Sequence, residues 1–185
     1  FILFKKKGLG LWLETFWEAL RQAIYLIVSG NPELVDITWR SLQVSFYAIL
    51  MASAIGVPLG VLIGIKRFWG RRFVKTVFTT LIGMPTVALG LILYLIFSRS
   101  GPLGSLELLY TMQGMSIGQA LLVIPIIVSF TISAIESKDV RVKDLAYTLG
   151  ASELETSMVI LREASNAIVL ALVAAFNRAF AELGI

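Results

Sequence analysis

The sequence predicts an all-α protein that crosses a membrane several times. Hydrophobic residues make up 57% of the 185-residue chain and charged residues only 15%, which is too apolar for a soluble domain of this length. Four apolar segments each approach or exceed the roughly 20 residues that a helix needs to cross the hydrocarbon core. Their backbone must be helical, because lipid offers no partner for exposed amide groups.

The composition also narrows the chemistry. The chain has no cysteine and no histidine, which removes disulfides, thiol nucleophiles, imidazole bases and the usual zinc ligands. Its formal charge of +4 is of the kind that loops flanking membrane spans carry, so we expect no nucleic-acid partner. The chain starts at Phe1 and stops at Ile185 inside an apolar stretch, and we expect it to be truncated, especially at the C-terminus.

The elements divide into an N-terminal region, residues 1–31, and a membrane domain, residues 32–185. In the first region Leu9–Val28 has apolar residues at helical spacing and charged residues on the other face, a pattern typical of an interfacial amphipathic helix. Residues Gly30-Asn31-Pro32 end it. The predicted spans of the membrane domain are about Ser41–Ile65, Phe73–Phe97, Ile117–Ile135 and Ala164–Gly184.

Lysine and arginine are distributed unevenly between the loops. The loop after the second span, residues 98–116, carries only Arg99. The loops after the first and third spans are rich in basic residues, namely Lys66, Arg67, Arg71, Arg72 and Lys75, then Lys138, Arg141, Lys143 and Arg162. The positive-inside rule therefore places the first and third loops in the cytoplasm. Lys5, Lys6 and Lys7 at the N-terminus oppose this assignment, but the longer alternation outweighs them.

The first span carries small residues at a strict spacing of four: Ala48, Ala52, Gly56, Gly60 and Gly64. Small residues in one row allow another helix to approach closely. We therefore predict a packed helix interface along this ridge, with Gly56, Gly60 and Gly64 at its centre.

Proline and threonine interrupt the apolar pattern. A proline inside each of the first three spans predicts a kink or a free carbonyl, and packing distortion alone is its commoner role; these are Pro58, Pro85 and Pro125. Four threonines either line a polar path or donate to their own helix's carbonyls at i−4, with the second role favoured for any one of them; these are Thr76, Thr79, Thr80 and Thr86.

Polar residues reappear near the end of the fourth span, at Asn177, Arg178 and Glu182. Arg178 and Glu182 are four residues apart and share a helix face. Ionisable groups at membrane depth are costly and are usually paired or functional. Two interpretations stay open: the three residues line a conduit or gate, or Arg178 and Glu182 form a self-neutralised pair that only positions the helix.

A polar interruption of about thirty residues, 136–163, separates the third and fourth spans. Residues 144–149 lack glycine, proline and asparagine and predict a helix, which Gly150 can end in the left-handed conformation. Ser152 to Glu155 spells S-x-x-E, a capping box that predicts a second, short helix. A rigid, polar protrusion of this kind suits a partner protein, although an ordinary surface turn has the same signature.

This interruption resembles the cytoplasmic EAA loop of ABC importer permeases, which reads E-A-A-x-x-x-G, nine residues, then I-x-L-P. The matching residues are Asp144, Ala146, Gly150 and Ile160. Asp144 stands in place of Glu, Leu145 in place of the first Ala, and Arg162-Glu163 in place of Leu-Pro. Further stretches resemble the tungstate-type permeases, close to the molybdate and sulfate group: Ile55–Gly60, Gly83–Gly90, Ser98–Gly104, Leu161–Ala164 and Phe176–Gly184.

The resemblance implies a type I ABC importer permease core and a larger machine. In such a machine two permease copies form the pathway, and two cytoplasmic ATPase subunits each receive one EAA loop. An extracytoplasmic binding protein delivers an oxyanion, for which tungstate is the leading candidate. The loop residues implied in ATPase coupling are Asp144, Ala146, Gly150, Ala151 and Ser152. The family implies a multi-pass protein of the bacterial or archaeal plasma membrane.

No G-x-x-x-x-G-K-[ST] motif occurs in the chain, so it does not bind ATP through a P-loop. We expect no cofactor and no metal on this chain, with ATP and magnesium on the ATPase, and no enzyme activity of its own. Three alternatives stay open: a permease for another cargo (molybdate, sulfate or an amino acid), an intramembrane enzyme, and a membrane scaffold without transport. An enzyme would need more ionisable residues within its spans than Arg178 and Glu182.

Overall fold

The computed structural model describes residues 2–66, 68–137, 145–146 and 148–182. All regular secondary structure in these ranges is helical, which confirms the predicted all-α class. The helices are α1 (Ile2–Val28), α2 (Pro32–Ile65), α3 (Arg71–Leu81), α4 (Thr86–Phe97), α5 (Met112–Glu136) and α6 (Glu153–Ala181), with a 3-10 turn at Gly104–Leu106. Helices α2, α5 and most of α6 are long and apolar enough to cross a membrane.

The chain divides into two compact units, Phe1–Ser41 and Leu42–Ile185. The first unit holds α1, which begins before the predicted Leu9, and the first turns of α2. Pro32 is the first residue of α2, where its missing N–H costs nothing, and the side chain of Asn31 accepts a hydrogen bond from the backbone N–H of Glu33 at 2.9 Å. Asp36 and Arg40 form an exposed ion pair at 2.9 Å on α2.

Helix α5 is the centre of the second unit. Its C-terminal residues Ala134 and Ile135 pack with Ile160 and Ala164 of α6, whereas its N-terminal part packs with Ala175 at the far end of α6. The two helices therefore run antiparallel. Alanines at helical spacing allow this close contact, because Ala164, Ala171, Ala175 and Ala179 are all at most 2% exposed.

The predicted second span, Phe73–Phe97, is not one continuous helix. The chain breaks between Leu81 and Thr86, and the axes of α3 and α4 differ by 96°. Pro85 occupies the position before α4, with φ −62° and ψ 126°, because proline lacks an N–H for the preceding turn and disfavours helical geometry at Met84. Pro85 therefore stands at a break of the predicted second span and not at a kink of one helix, whereas Pro58 and Pro125 lie inside α2 and α5.

The expected short second helix of the polar interruption is also wrong. The helix that begins after Ser152 continues without a break to Ala181 and includes the predicted fourth span as far as that residue. Residues 153–163 contain neither glycine nor proline, so nothing ends the helix before the apolar segment begins. The predicted end of this span at Gly184 lies outside the described residues.

Candidate functional site

The turn that precedes α6 has the predicted backbone geometry. Gly150 has φ +83°, a left-handed conformation that favours glycine. The backbone N–H of Ala151 donates to the carbonyl of Ala146 at 3.0 Å, which closes the turn. The backbone N–H of Ser152 donates to the Glu155 carboxylate at 2.8 Å, and the Glu155 N–H donates to the Ser152 hydroxyl at 3.4 Å. The capping box therefore fixes the start of α6.

The side chains of this turn divide into a buried and an exposed set. Ala146 is buried, at 9% exposure, so its methyl group packs within the chain. Leu145 and Leu149 are 61% and 78% exposed, and they lie four residues apart. Sequence reasoning gave these two leucines no role, because their exposure depends on tertiary packing. Asp144, another residue predicted in ATPase coupling, lies outside the described residues.

The small-residue ridge of α2 faces α5. A β-carbon built on Gly56 would lie 2.9 Å from Ile127 Cγ2, one on Gly60 would lie 2.6 Å from Thr131 Cβ, and one on Gly64 would lie 3.0 Å from Ile135 Cδ1. Equal steps of four residues along both helices mean that α2 and α5 run parallel. Their C-terminal ends therefore lie at the same end of the bundle.

An ion-pair cluster that the sequence reasoning missed joins these two C-terminal ends. Arg71 donates from Nε to the carbonyl of Ile63 and from Nη2 to that of Gly64, both at 2.7 Å. These carbonyls have no partner within α2 because the helix ends there. Arg71 Nη2 also contacts Glu136 Oε1 at 2.7 Å, and Lys75 Nζ contacts Glu136 Oε2 at 2.5 Å.

The placement of these charges explains why the cluster forms. A cation in the first turn of α3 and an anion in the last turn of α5 each oppose their own helix dipole. Arg71 and Glu136 compensate one another, and Arg71 also lies favourably at the C-terminal end of α2. The cluster therefore ties the C-terminal end of α5 to α2 and α3.

The ion pair predicted near the end of α6 is present. Arg178 Nη2 lies 3.1 Å from Glu182 Oε1, and the two side chains are 41% and 16% exposed. Asn177 is exposed. Glu182 lies in the wall of a groove of about 370 Å³, which Arg178 and Asn177 do not line. The lining residues are Thr86, Val87, Leu89, Gly90, Leu93, Met115, Gly118, Gln119, Leu122 and Glu182.

The groove between α4 and α5 is lined mostly by apolar residues, with a few polar groups among them. Thr86 lines it directly, and the buried Oε1 of Gln119 has no hydrogen-bond partner among the described residues. Thr76, by contrast, donates to the carbonyl of Arg72 at 3.0 Å, the intrahelical role that the sequence favoured. Of the four threonines considered, Thr86 is the one that lines this groove.

The fold and these features define a class. A bundle of apolar helices packed through small residues, a broken span beside a groove, and a rigid polar turn at one end are together typical of the membrane component of a transport system. Within the described residues no cluster of acidic side chains is suited to a metal ion.

Comparison with known proteins identifies the family. The family described as binding-protein-dependent transport system inner membrane component matches residues 56–184. The chain is 40% identical over 151 residues to a probable anion ABC transporter permease protein of Haloferax volcanii, covering 82% of this chain and 65% of that protein. It is 36% identical over 172 residues to the tungstate uptake system permease protein TupB of Peptoclostridium acidaminophilum, covering 93% of this chain and 75% of that protein.

A third relative agrees with these two. The TupB protein of Campylobacter jejuni is 30% identical over 175 residues, which are 95% of this chain and 73% of that protein. The chain belongs to the family of binding-protein-dependent transport system inner membrane components, and it is a multi-pass plasma-membrane protein. The resemblance drawn from Asp144, Ala146, Gly150 and the apolar stretches is confirmed.

Proposed function

We propose that this chain is the permease subunit of an ATP-driven importer that moves a small oxyanion into the cytoplasm. Tungstate is the leading candidate for this cargo. A second copy of the chain completes the pathway, an extracytoplasmic binding protein delivers the anion, and separate ATPase subunits supply the energy. The names of the relatives from Peptoclostridium and Campylobacter support tungstate, and that of the Haloferax relative supports an anion. Molybdate and sulfate are the alternative cargoes, since more distant relatives are named for them.

The observation that carries the mechanism is the continuity of α6. One helix of 29 residues, about 43 Å long at 1.5 Å per residue, runs from the capping box at Ser152 to the Arg178–Glu182 pair beside the groove. A partner that moves the Gly150 turn therefore moves the groove wall through a rigid rod. Differential contact with a two-state ATPase is sufficient to drive such a change.

The exposed leucines of the turn are the proposed contacts with the ATPase. An apolar pair with i,i+4 spacing beside a closed turn suits a groove on a partner, and the buried Ala146 and left-handed Gly150 hold the pair in place. In this proposal Ala151 and Ser152 keep the start of α6 rigid, and Asp144 precedes the contact. The small residues thus act on the shape of the turn and the leucines on binding.

Replacement of Leu149 by glutamate is expected to abolish ATPase binding, because it places a charge in an apolar contact without changing the turn. Leu149→Glu should lose co-purification with the ATPase and at least 90% of tungstate uptake in proteoliposomes, with membrane insertion retained. Leu106→Glu is the matched control, because Leu106 is also an exposed leucine, at 57%, but lies at the opposite end of the second unit from the Gly150 turn. Normal uptake and co-purification by Leu149→Glu would exclude the proposed contact.

The orientation is tested by labelling, which is clean because the chain has no cysteine. Ser100→Cys, between α4 and α5, is expected to react with a membrane-impermeant maleimide from the outside only. Thr148→Cys, in the Gly150 turn, is expected to react from the cytoplasmic side only. The reverse pattern would contradict the cytoplasmic assignment of the turn and with it the ATPase contact.

The cargo is tested with the reconstituted importer. Uptake of tungstate in the presence of excess molybdate or sulfate measures preference directly. Stronger competition by sulfate than by unlabelled tungstate would move the proposal to the sulfate alternative and leave the permease assignment intact.

A further inference from the structure

The connection from α2 to α3 exposes aromatic side chains beside basic ones. Helix α2 ends at Ile65, and the next residues return to polar surroundings. Trp69 is fully exposed, at 101%, and Phe73 is 73% exposed. Gly70 has φ +89°, a conformation that separates Trp69 from the first turn of α3. Large aromatic side chains presented at the end of a membrane span are rarely left in water.

The basic residues of this region have two different environments. Arg71 and Lys75 are bound to Glu136. Lys66 and Arg72 are exposed, and in the part of the chain that the structure describes their side chains have no ion pair or hydrogen bond. Two of the positive charges counted for the positive-inside rule are therefore ion-paired with one carboxylate within the protein, and the side chains of Lys66 and Arg72 remain available in the same connection as Trp69 and Phe73.

We infer that Lys66, Trp69, Arg72 and Phe73 form a docking surface for the headgroups of anionic lipids. The apolar span that ends at Ile65 places this surface at the boundary between hydrocarbon and water, where tryptophan is favoured. Lysine and arginine extend their charged ends toward phosphate groups while their stems cover apolar surface. The charge of the surface selects an anionic headgroup over a zwitterionic one.

Lipid bound at this surface would also help to hold α3 against the helix bundle. Val74 and Phe78 of α3 pack on Ile63, Val128 and Ile132, so α3 already has a fixed inner face. The lipid surface lies on the exposed side of the same connection. Anionic lipid bound there would hold α3 from outside while Glu136 holds it from inside. This inference depends on the membrane fold and is independent of the proposed cargo.

The two unpaired charges, those of Lys66 and Arg72, set the size of the expected preference for anionic lipid. A basic residue near an anionic membrane surface contributes about fivefold in binding, and the contribution falls off within a Debye length. Two residues, whose contributions multiply, therefore predict a preference for anionic lipid of up to about 25-fold at low salt. The preference should decline strongly at about 1 M salt, where the Debye length is about 3 Å.

The test uses the fluorescence of Trp69 in the full chain. Trp12, Trp17 and Trp39 are replaced by phenylalanine, and the chain is reconstituted in vesicles of phosphatidylcholine with one quarter phosphatidylglycerol. Either lipid is supplied in brominated form at equal mole fraction, and the quenching of Trp69 is compared. Brominated phosphatidylglycerol is expected to quench several-fold more per molecule than brominated phosphatidylcholine, and 1 M salt should remove the excess.

Two variants separate a local effect from a general one. Lys66→Gln combined with Arg72→Gln should abolish the excess quenching. Arg99→Gln removes a charge from an exposed residue of the loop after α4 and should leave the excess unchanged. The unmutated chain gives a second measurement: phosphatidylglycerol added to detergent micelles should raise its unfolding temperature more than phosphatidylcholine does.

Three results would overturn the inference. Equal quenching by the two brominated lipids would show that charge does not select the headgroup. Strong quenching by acrylamide from water with none from either lipid would show that the surface faces solvent. Protection of Trp69 that appears only when the ATPase or a second copy is added would assign the surface to that protein.

Discussion

Gly60→Ala is expected to destabilise the bundle more than any other single methyl addition on the α2 ridge. The new β-carbon would lie 2.6 Å from Thr131 Cβ and 3.0 Å from the carbonyl oxygen of Val128. Neither atom is at the free end of a flexible side chain, so α2 and α5 must separate. Overpacking of this kind costs about 1–3 kcal/mol, or roughly 2–12 °C in unfolding temperature for a chain of this size.

The measurement is thermal unfolding of the purified chain in detergent micelles. Gly90→Ala is the matched control, because Gly90 lies inside α4 with nothing within 4 Å of the added β-carbon, and alanine favours a helix interior over glycine by about 1 kcal/mol. Gly56→Ala should fall between the two, since its nearest neighbour is a side-chain methyl group, Ile127 Cγ2. Equal unfolding temperatures for the Gly60 and Gly90 variants would contradict close packing at the ridge.

The ridge illustrates how far sequence reasoning reaches in this fold. A spacing of four small residues predicts a close helix contact, because that spacing places them on one face. It contains no information about the partner, which is a property of α5 some seventy residues later. The alanines of α6 that pack on α5 follow the same rule, since they too lie on one helix face.

Sequence reasoning gives the same interpretation to all three span prolines, but the structure places two of them inside helices and one at a helix break. Pro58 and Pro125 lie within long helices whose other residues keep the helical path. Pro85 follows Gly83 and Met84, and the glycine adds backbone freedom just where proline disfavours the helix. The local composition around each proline therefore distinguishes a break from a kink, and the proline alone does not.

The sequence predicts where the charged residues lie along the chain, but it does not predict which residues form ion pairs with them. The positive-inside rule counts Arg71 and Lys75 as free loop charges, but both form ion pairs with Glu136 across 65 and 61 residues of chain. A contact at that separation depends on α2 and α5 being parallel, which no local pattern encodes. The same limit applies to Ala146, since no local pattern encodes the tertiary packing that buries it.

The Arg178–Glu182 pair gives the second large expected effect. Glu182→Gln keeps the shape of the side chain and removes its charge, which leaves the Arg178 cation unpaired beside apolar surface. An unpaired charge in such surroundings is costly. Because Arg178 is 41% exposed and Glu182 16%, we discount the full buried-pair value and expect about 1–3 kcal/mol, with reduced membrane expression. The double variant Arg178→Gln with Glu182→Gln should recover most of this loss.

The exposed pair Asp36–Arg40 is the matched control for that cycle. It has the same i,i+4 spacing and a similar distance, 2.9 Å, but its side chains are 58% and 67% exposed. Surface pairs of this kind contribute about 0.3–0.5 kcal/mol. The double-mutant cycle at residues 178 and 182 should therefore give a clearly larger coupling energy than the cycle at residues 36 and 40, measured as unfolding temperatures in the same micelles.

Transport distinguishes a pathway role from helix positioning. If Arg178 provides a positive field to the oxyanion near the groove, Arg178→Gln in the double variant should fold normally and still lose most tungstate uptake, because the cation is gone although no unpaired charge remains. A pair that only positions α6 predicts normal uptake by the same double variant. Equal stability of Glu182→Gln and the double variant, together with normal uptake, would exclude both coupling and function, since the cost of an unpaired cation is then absent and the groove has no need of its charge.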